Sequence, residues 1–111
     1  MRPEIAQHLP ALRDLCIKHR IREAFLFGSA AMDDGSFDPA KSDVDLLVEF
    51  LDDDLGPWMK KLFDFQEACE VLFGRKVDVM LLSALHDRHS RSSPYFRSAV
   101  EASKVRLYAA A

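Results

Sequence analysis

No apolar run in this chain of 111 residues approaches the roughly 18 residues needed to cross a bilayer. Its first residues also lack the apolar core of a signal peptide. A membrane-spanning protein is therefore not expected, and a cytoplasmic one is. Basic excess is missing too. Net charge is −3 at neutral pH, so no global field draws the chain onto nucleic acid, and direct nucleic-acid binding is not expected. Cysteine is scarce: Cys16 and Cys69 sit among apolar residues at helical spacing. They read as two buried free thiols rather than a disulfide or a metal site. Internal repeats and low-complexity tracts are absent.

What is present is the mixture of a folded globular domain, 49% apolar and 30% charged. The length fits one domain over residues 1–111 and leaves little room for a second. A core can form at this size, but a large substrate pocket built wholly from this chain cannot be expected. Acidic residues crowd one stretch: Asp33, Asp34, Asp38, Asp43, Asp45, Glu49, Asp52, Asp53 and Asp54, opposed only by Lys41. Most of that run reads as a solvated loop and its flanks.

The pattern of apolar residues predicts the order helix, strand, short helix or loop, strand, helix, strand, helix. Pro10 opens a helix with Leu12, Leu15 and Cys16 on its inner stripe. Ala24 to Phe27 is a short buried strand stopped by Gly28. Residues from Asp33 to Ser42 are small, acidic or turn-forming, and predict a loop; Val44 to Leu51 is the second strand. Gly56-Pro57 starts a helix with Trp58, Leu62, Phe65, Cys69 and Leu72 on one face, closed by Gly74. Lys76 to Leu82 is the third strand and Pro94 to Tyr108 a final amphipathic helix, with Phe96, Val100 and Leu107 inward. Trp58 and the phenylalanines are expected in the core, and His8 and His19 at the surface. The fold class is α/β (α+β), a small mixed sheet packed against helices.

The chemistry lies in Phe27-Gly28-Ser29 followed by Ser42-Asp43-Val44-Asp45-Leu46-Leu47-Val48. Residues two apart in a strand share a face, with Cα atoms about 7 Å apart. Asp43 and Asp45 therefore project together, while Val44, Leu46 and Val48 face the core. Such acids repel, and a divalent cation turns the repulsion into binding, since hard oxygen ligands suit Mg²⁺. Two solvated acids at a strand end would show the same spacing. Asp78 interrupts the apolar run Val77, Val79, Met80, Leu81 and Leu82; a charge there is costly unless paired, metal-bound or exposed at one face. Gly28-Ser29 reads either as a strand-to-helix turn capped by Ser29 or as a phosphate-binding turn.

Two further clusters are weaker. His86-Asp87-Arg88-His89 holds two histidines without a supporting zinc ligand. Arg88, Arg91 and Arg97 form a local basic patch, and the loop from Ala84 to Ser93 with the helix after it is a candidate docking surface.

Together, the hydrophobic strand with Gly-Ser, the spaced Ser-Asp-x-Asp-Leu-Leu-Val and the later Val-Asp-Val strand resemble the DNA polymerase beta-like nucleotidyltransferase superfamily. Within it the chain is most similar to the minimal nucleotidyltransferases, over Pro10 to Leu82. The resemblance implies that Gly28 and Ser29 contact a nucleoside triphosphate. It implies that Asp43 and Asp45 hold two Mg²⁺ ions, and that Asp78 completes the metal site and helps activate the incoming hydroxyl. It further implies ATP or another nucleoside triphosphate as substrate, AMP transfer to a hydroxyl of a HEPN-type partner, and an antitoxin role in a homo- or hetero-oligomer. Two features depart from the pattern: Ala30, Ala31 and Met32 stand where many relatives carry an arginine, and the spacer Ala30 to Ser42 is long. The alternatives are a non-catalytic partner-binding antitoxin, and transfer to a small molecule such as an aminoglycoside, whose enzymes usually carry an additional domain.

Overall fold

The computed structural model describes residues 2–31, 38, 43–86 and 94–110. The loop expected from Asp33 to Ser42 lies almost wholly outside them, as do His89, Arg88 and Arg91 of the two weaker clusters. Two helices lead in: α1 (Pro3–Ala6), which the sequence did not announce, and α2 (Leu9–Lys18). Then follow β1 (Ile21–Phe27), a 3₁₀ turn (Gly28–Ala31) and β2 (Val44–Phe50). A second 3₁₀ turn (Pro57–Met59) leads into α3 (Lys60–Phe73), β3 (Val77–Leu81), α4 (Leu82–His86), α5 (Pro94–Ser103) and β4 (Val105–Ala109). Among the described residues no helix is long and apolar enough to cross a membrane.

The four strands form one mixed sheet in the order β3-β2-β1-β4. β1 runs antiparallel to both β2 and β4, and β3 runs parallel to β2. Both faces are covered. Ala24, Leu26, Val44, Leu46 and Val48 meet Leu12 and Cys16 of α2 and Phe65 and Cys69 of α3 on one face. Phe25, Phe27 and Leu47 meet Leu85 of α4 and Val100 of α5 on the other. Burial on both sides explains why β2 reads as a nearly continuous apolar run rather than a strict alternation. It also pushes the thiols of Cys16 and Cys69 up to about 12, consistent with the inert free cysteines expected.

α3 buries Leu62, Phe65, Cys69 and Phe73 at spacings that fall on one helical stripe. Gly74 ends it in the left-handed region, φ +65°, its N–H donating to the Glu70 carbonyl at 2.9 Å. The same helix serves the edge strand: Gln66 Oε1 accepts from Val79 N–H at 3.1 Å. A donor that would otherwise be left unpaired at the sheet edge is thereby satisfied.

Several expectations fail for local reasons. The predicted helix Pro94–Tyr108 stops at Ser103, and Val105 to Ala109 becomes a strand against β1. Ser103 Oγ donates back to the Ala99 carbonyl at 2.7 Å, as a helix-ending hydroxyl can. Beyond it, Val-Arg-Leu-Tyr suits a strand, and Leu107 reaches the core from β4 rather than from a helix face. Trp58 is not in the core: it is 94% exposed. Gly56-Pro57 does not open α3 directly. Trp58 and Met59 both take φ +56°, which turns the chain before the helix starts at Lys60. Phe63 is exposed as well. His8 and His19 are half-buried rather than surface residues, set edge-on to Phe73 and Phe65 at 5.3 and 5.6 Å. Burial lowers the His19 pKa, aided by Lys18 and opposed by Asp64. Strand bounds also move: β1 begins at Ile21, β2 ends at Phe50, and Leu82 belongs to α4.

Candidate active site

Strand register gathers the acids. Asp45 lies opposite Phe27 of β1 on one side and opposite Asp78 of β3 on the other. In parallel strands paired residues point to the same face, so the Asp45 and Asp78 side chains rise together beside the end of β1. Asp43 precedes β2 and lies two residues from Asp45, on that same face. Lys76 adjoins it: the Lys76 carbonyl accepts from Val44 N–H at 3.1 Å, and its Nζ lies 3.9 Å from both Asp43 Oδ2 and Asp78 Oδ1.

Gly28 is fitted to Asp45. It ends β1 with φ +71°, and the 3₁₀ turn it starts packs against β2. A Cβ at this position would lie 2.5 Å from Asp45 Oδ2. Glycine is thus required twice, for its backbone angle and for the approach of the carboxylate. Ser29, in the same turn, is half-buried.

Electrostatically, Asp45 is the strained member. Its pKa is pushed up to about 6, first by burial, then by the neighbouring charges of Asp78 and Asp43, with Lys76 pulling the other way. A carboxylate paired only weakly with a cation and facing two others is poised for a divalent ion. The donor set fits magnesium in charge and chemistry, although no group of three His, Cys, Asp or Glu among the described residues is drawn into ligating geometry.

A cavity of about 560 Å³ opens from Gly28, Asp45 and Asp78 toward α5. Its far wall is mostly apolar: Phe27, Val79, Met80, Phe96, Ala99 and Val100. Phe27 and Phe96 meet edge-on at 6.2 Å between centroids. Sequence reasoning missed this wall because it assigned Phe96 and Val100 wholly to the core. It missed Lys76 because only the register sets that residue opposite Asp43. A basic residue two before Asp78 was the available signal.

Comparison with known proteins converges on one group. The polymerase beta nucleotidyltransferase family model matches residues 11–105. A protein of Methanocaldococcus jannaschii, assigned by inference as a protein adenylyltransferase, is 30% identical over 84 residues, 76% of this chain and 74% of that protein. A solved structure described as a minimal nucleotidyltransferase superposes with TM-score 0.63 at 26% identity, covering 91% of this chain and 90% of that one. A tri-AMPylated HEPN toxin in complex with its MNT antitoxin, from Shewanella oneidensis, gives TM-score 0.60 at 14% identity. That match covers 95% of this chain and 72% of the other, and at such identity it speaks to the fold alone.

Proposed function

The chain belongs to the polymerase beta nucleotidyltransferase family, and from that premise we propose that it transfers AMP from ATP to a hydroxyl of a HEPN-type partner protein, acting as its antitoxin. The observation that carries this reading is the pairing of Asp45 with Asp78 on adjacent parallel strands, with Gly28 closed against the Asp45 carboxylate. The relatives supply the acceptor class: protein adenylylation in one, an AMPylated HEPN toxin in another.

In this reading the acceptor hydroxyl oxygen attacks the α-phosphorus of ATP. A new P–O bond forms, the bond from that phosphorus to the bridging oxygen breaks, and pyrophosphate leaves. Asp78, the more open of the paired acids, would take the hydroxyl proton. Gly28 and Ser29 hold the triphosphate at the turn. Asp43, Asp45 and Asp78 would hold magnesium, which supplies charge neutralisation for the triphosphate and the leaving pyrophosphate. The apolar wall on α5 excludes water from one side of the reacting groups. ATP as donor and a toxin as acceptor set the site of action in the cytoplasm.

Incubation with ATP labelled at the α-phosphate, Mg²⁺ and a HEPN-type partner is expected to leave label on the partner, and to leave none when EDTA is present from the start. Tight association without label would identify a non-catalytic antitoxin instead, for which Ala30, Ala31 and Met32 in place of the family's arginine would then account.

A further inference from the structure

We propose that Lys76 is the resident counter-cation of the acidic cluster, standing between Asp43 and Asp78 where a divalent ion must enter and thereby setting how tightly the site binds one. The proposal rests on the reading of Asp43, Asp45 and Asp78 as the metal-holding acids.

The register builds this arrangement. Val44 pairs with Val77 and Asp45 with Asp78. One step earlier, the Lys76 carbonyl takes the Val44 N–H at 3.1 Å, so the ladder extends to bring Lys76 beside Asp43. Lys76 and Asp78 lie two apart and share a face, as do Asp43 and Asp45. Four side chains thus form two cross-strand pairs, Asp43 with Lys76 and Asp45 with Asp78. The ammonium stands 3.9 Å from an oxygen of each flanking acid. Equal distances to the two mark an intermediate position rather than a salt bridge committed to one partner.

Charge explains what this position does. Three carboxylates carry −3, and Lys76 brings the group to −2, the charge one divalent ion balances. The contacts lie at the outer limit of ion pairing, and the lysine side chain is 66% exposed. Such a pair is weak and exchangeable. The ammonium sits on a flexible four-carbon stem and is readily hydrated, so it can leave the cluster when a stronger cation arrives. While it stays nearby, its charge opposes that arrival. Lys76 is therefore a positioning residue: it keeps the acids together without metal and raises the concentration of free metal needed to fill the site.

The test uses Mn²⁺ alone, without nucleotide, at low ionic strength, with free ion counted by its electron paramagnetic resonance signal. Lys76→Gln removes the charge and Lys76→Arg keeps it. Lys76→Gln is expected to bind Mn²⁺ roughly three- to tenfold more tightly than the wild type, an effect that shrinks as salt screens the site. Lys76→Arg is expected to stay near the wild-type affinity. Without metal, Lys76→Gln is expected to melt lower than the wild type, and to gain more in melting temperature when Mn²⁺ is added. Equal or weaker Mn²⁺ binding by Lys76→Gln, or equal tightening by both variants, overturns the proposal while leaving the metal site intact. Wild-type protein that binds no Mn²⁺, or binds it undiminished after Asp45→Asn, overturns the metal reading and this one with it.

Discussion

Asp45→Asn is expected to melt about 4 °C higher than the wild type at pH 7.5 without metal, while its nucleotidyl transfer falls by roughly three orders of magnitude or more. Burial, then Asp78, then Asp43 push the Asp45 carboxyl up to about 6. The folded state therefore holds this proton more tightly than the unfolded chain, whose value is near 3.8. The stabilising contribution is complete below the unfolded value and is lost as pH rises through about 6. At pH 7.5 the ionised carboxylate works against folding, by about 1 kcal/mol once solvent screening at this half-buried position is allowed for. Asparagine keeps the shape and removes the charge. Its advantage should fade as pH falls and vanish near pH 4, where the wild type is protonated as well. Melting curves of both proteins across pH 4–8 check the sign. A variant that melts lower at pH 7.5 would make Asp45 a structural residue.

Gly28→Ala should act on the same carboxylate from the other side. The new Cβ would lie 2.5 Å from Asp45 Oδ2 and 3.4 Å from its Cγ, in a backbone with φ +71°. Either the carboxylate turns away or the 3₁₀ turn shifts. The left-handed backbone costs an alanine about 1–2 kcal/mol, and a displacement near 1 Å at the reacting groups can cost about a hundredfold in rate. Gly74→Ala is the control. Its φ is +65°, but nothing lies within 4 Å of the added atom. It should lose similar stability and keep its activity. Combining Gly28→Ala with Asp45→Asn should add little further loss of activity, because both act through one side chain. Denaturant unfolding and initial rates on the wild type and the four variants separate the two contributions.

How much of this was legible follows from which physical quantities a linear sequence carries. The two-residue period of a strand is local, so Asp43 and Asp45 on one face could be read directly, as could the inward Val44, Leu46 and Val48. The stop at Gly28 was equally local. Strand direction and register are not. That Asp78 pairs with Asp45, and that Lys76 adjoins Asp43, depends on β3 lying parallel to β2. The carboxyl-terminal segment misled because Phe96, Val100 and Leu107 continue a helical stripe, whereas Val105 to Ala109 pairs with the edge of β1, whose backbone groups a helix would leave unpaired. Trp58 misled because a Gly-Pro pair usually announces a helix start, and the left-handed turn at Trp58 and Met59 cannot be read from residue types that rarely adopt it.

The most direct test of the account is the crystal structure of the protein with Mn²⁺ and a non-hydrolysable ATP analogue, located by anomalous scattering. The account predicts manganese between the carboxylates of Asp45 and Asp78, with Asp43 turned toward it, Lys76 withdrawn, and the triphosphate against Gly28 and Ser29. Manganese bound elsewhere, or a triphosphate seated away from the Gly28–Ala31 turn, would contradict it.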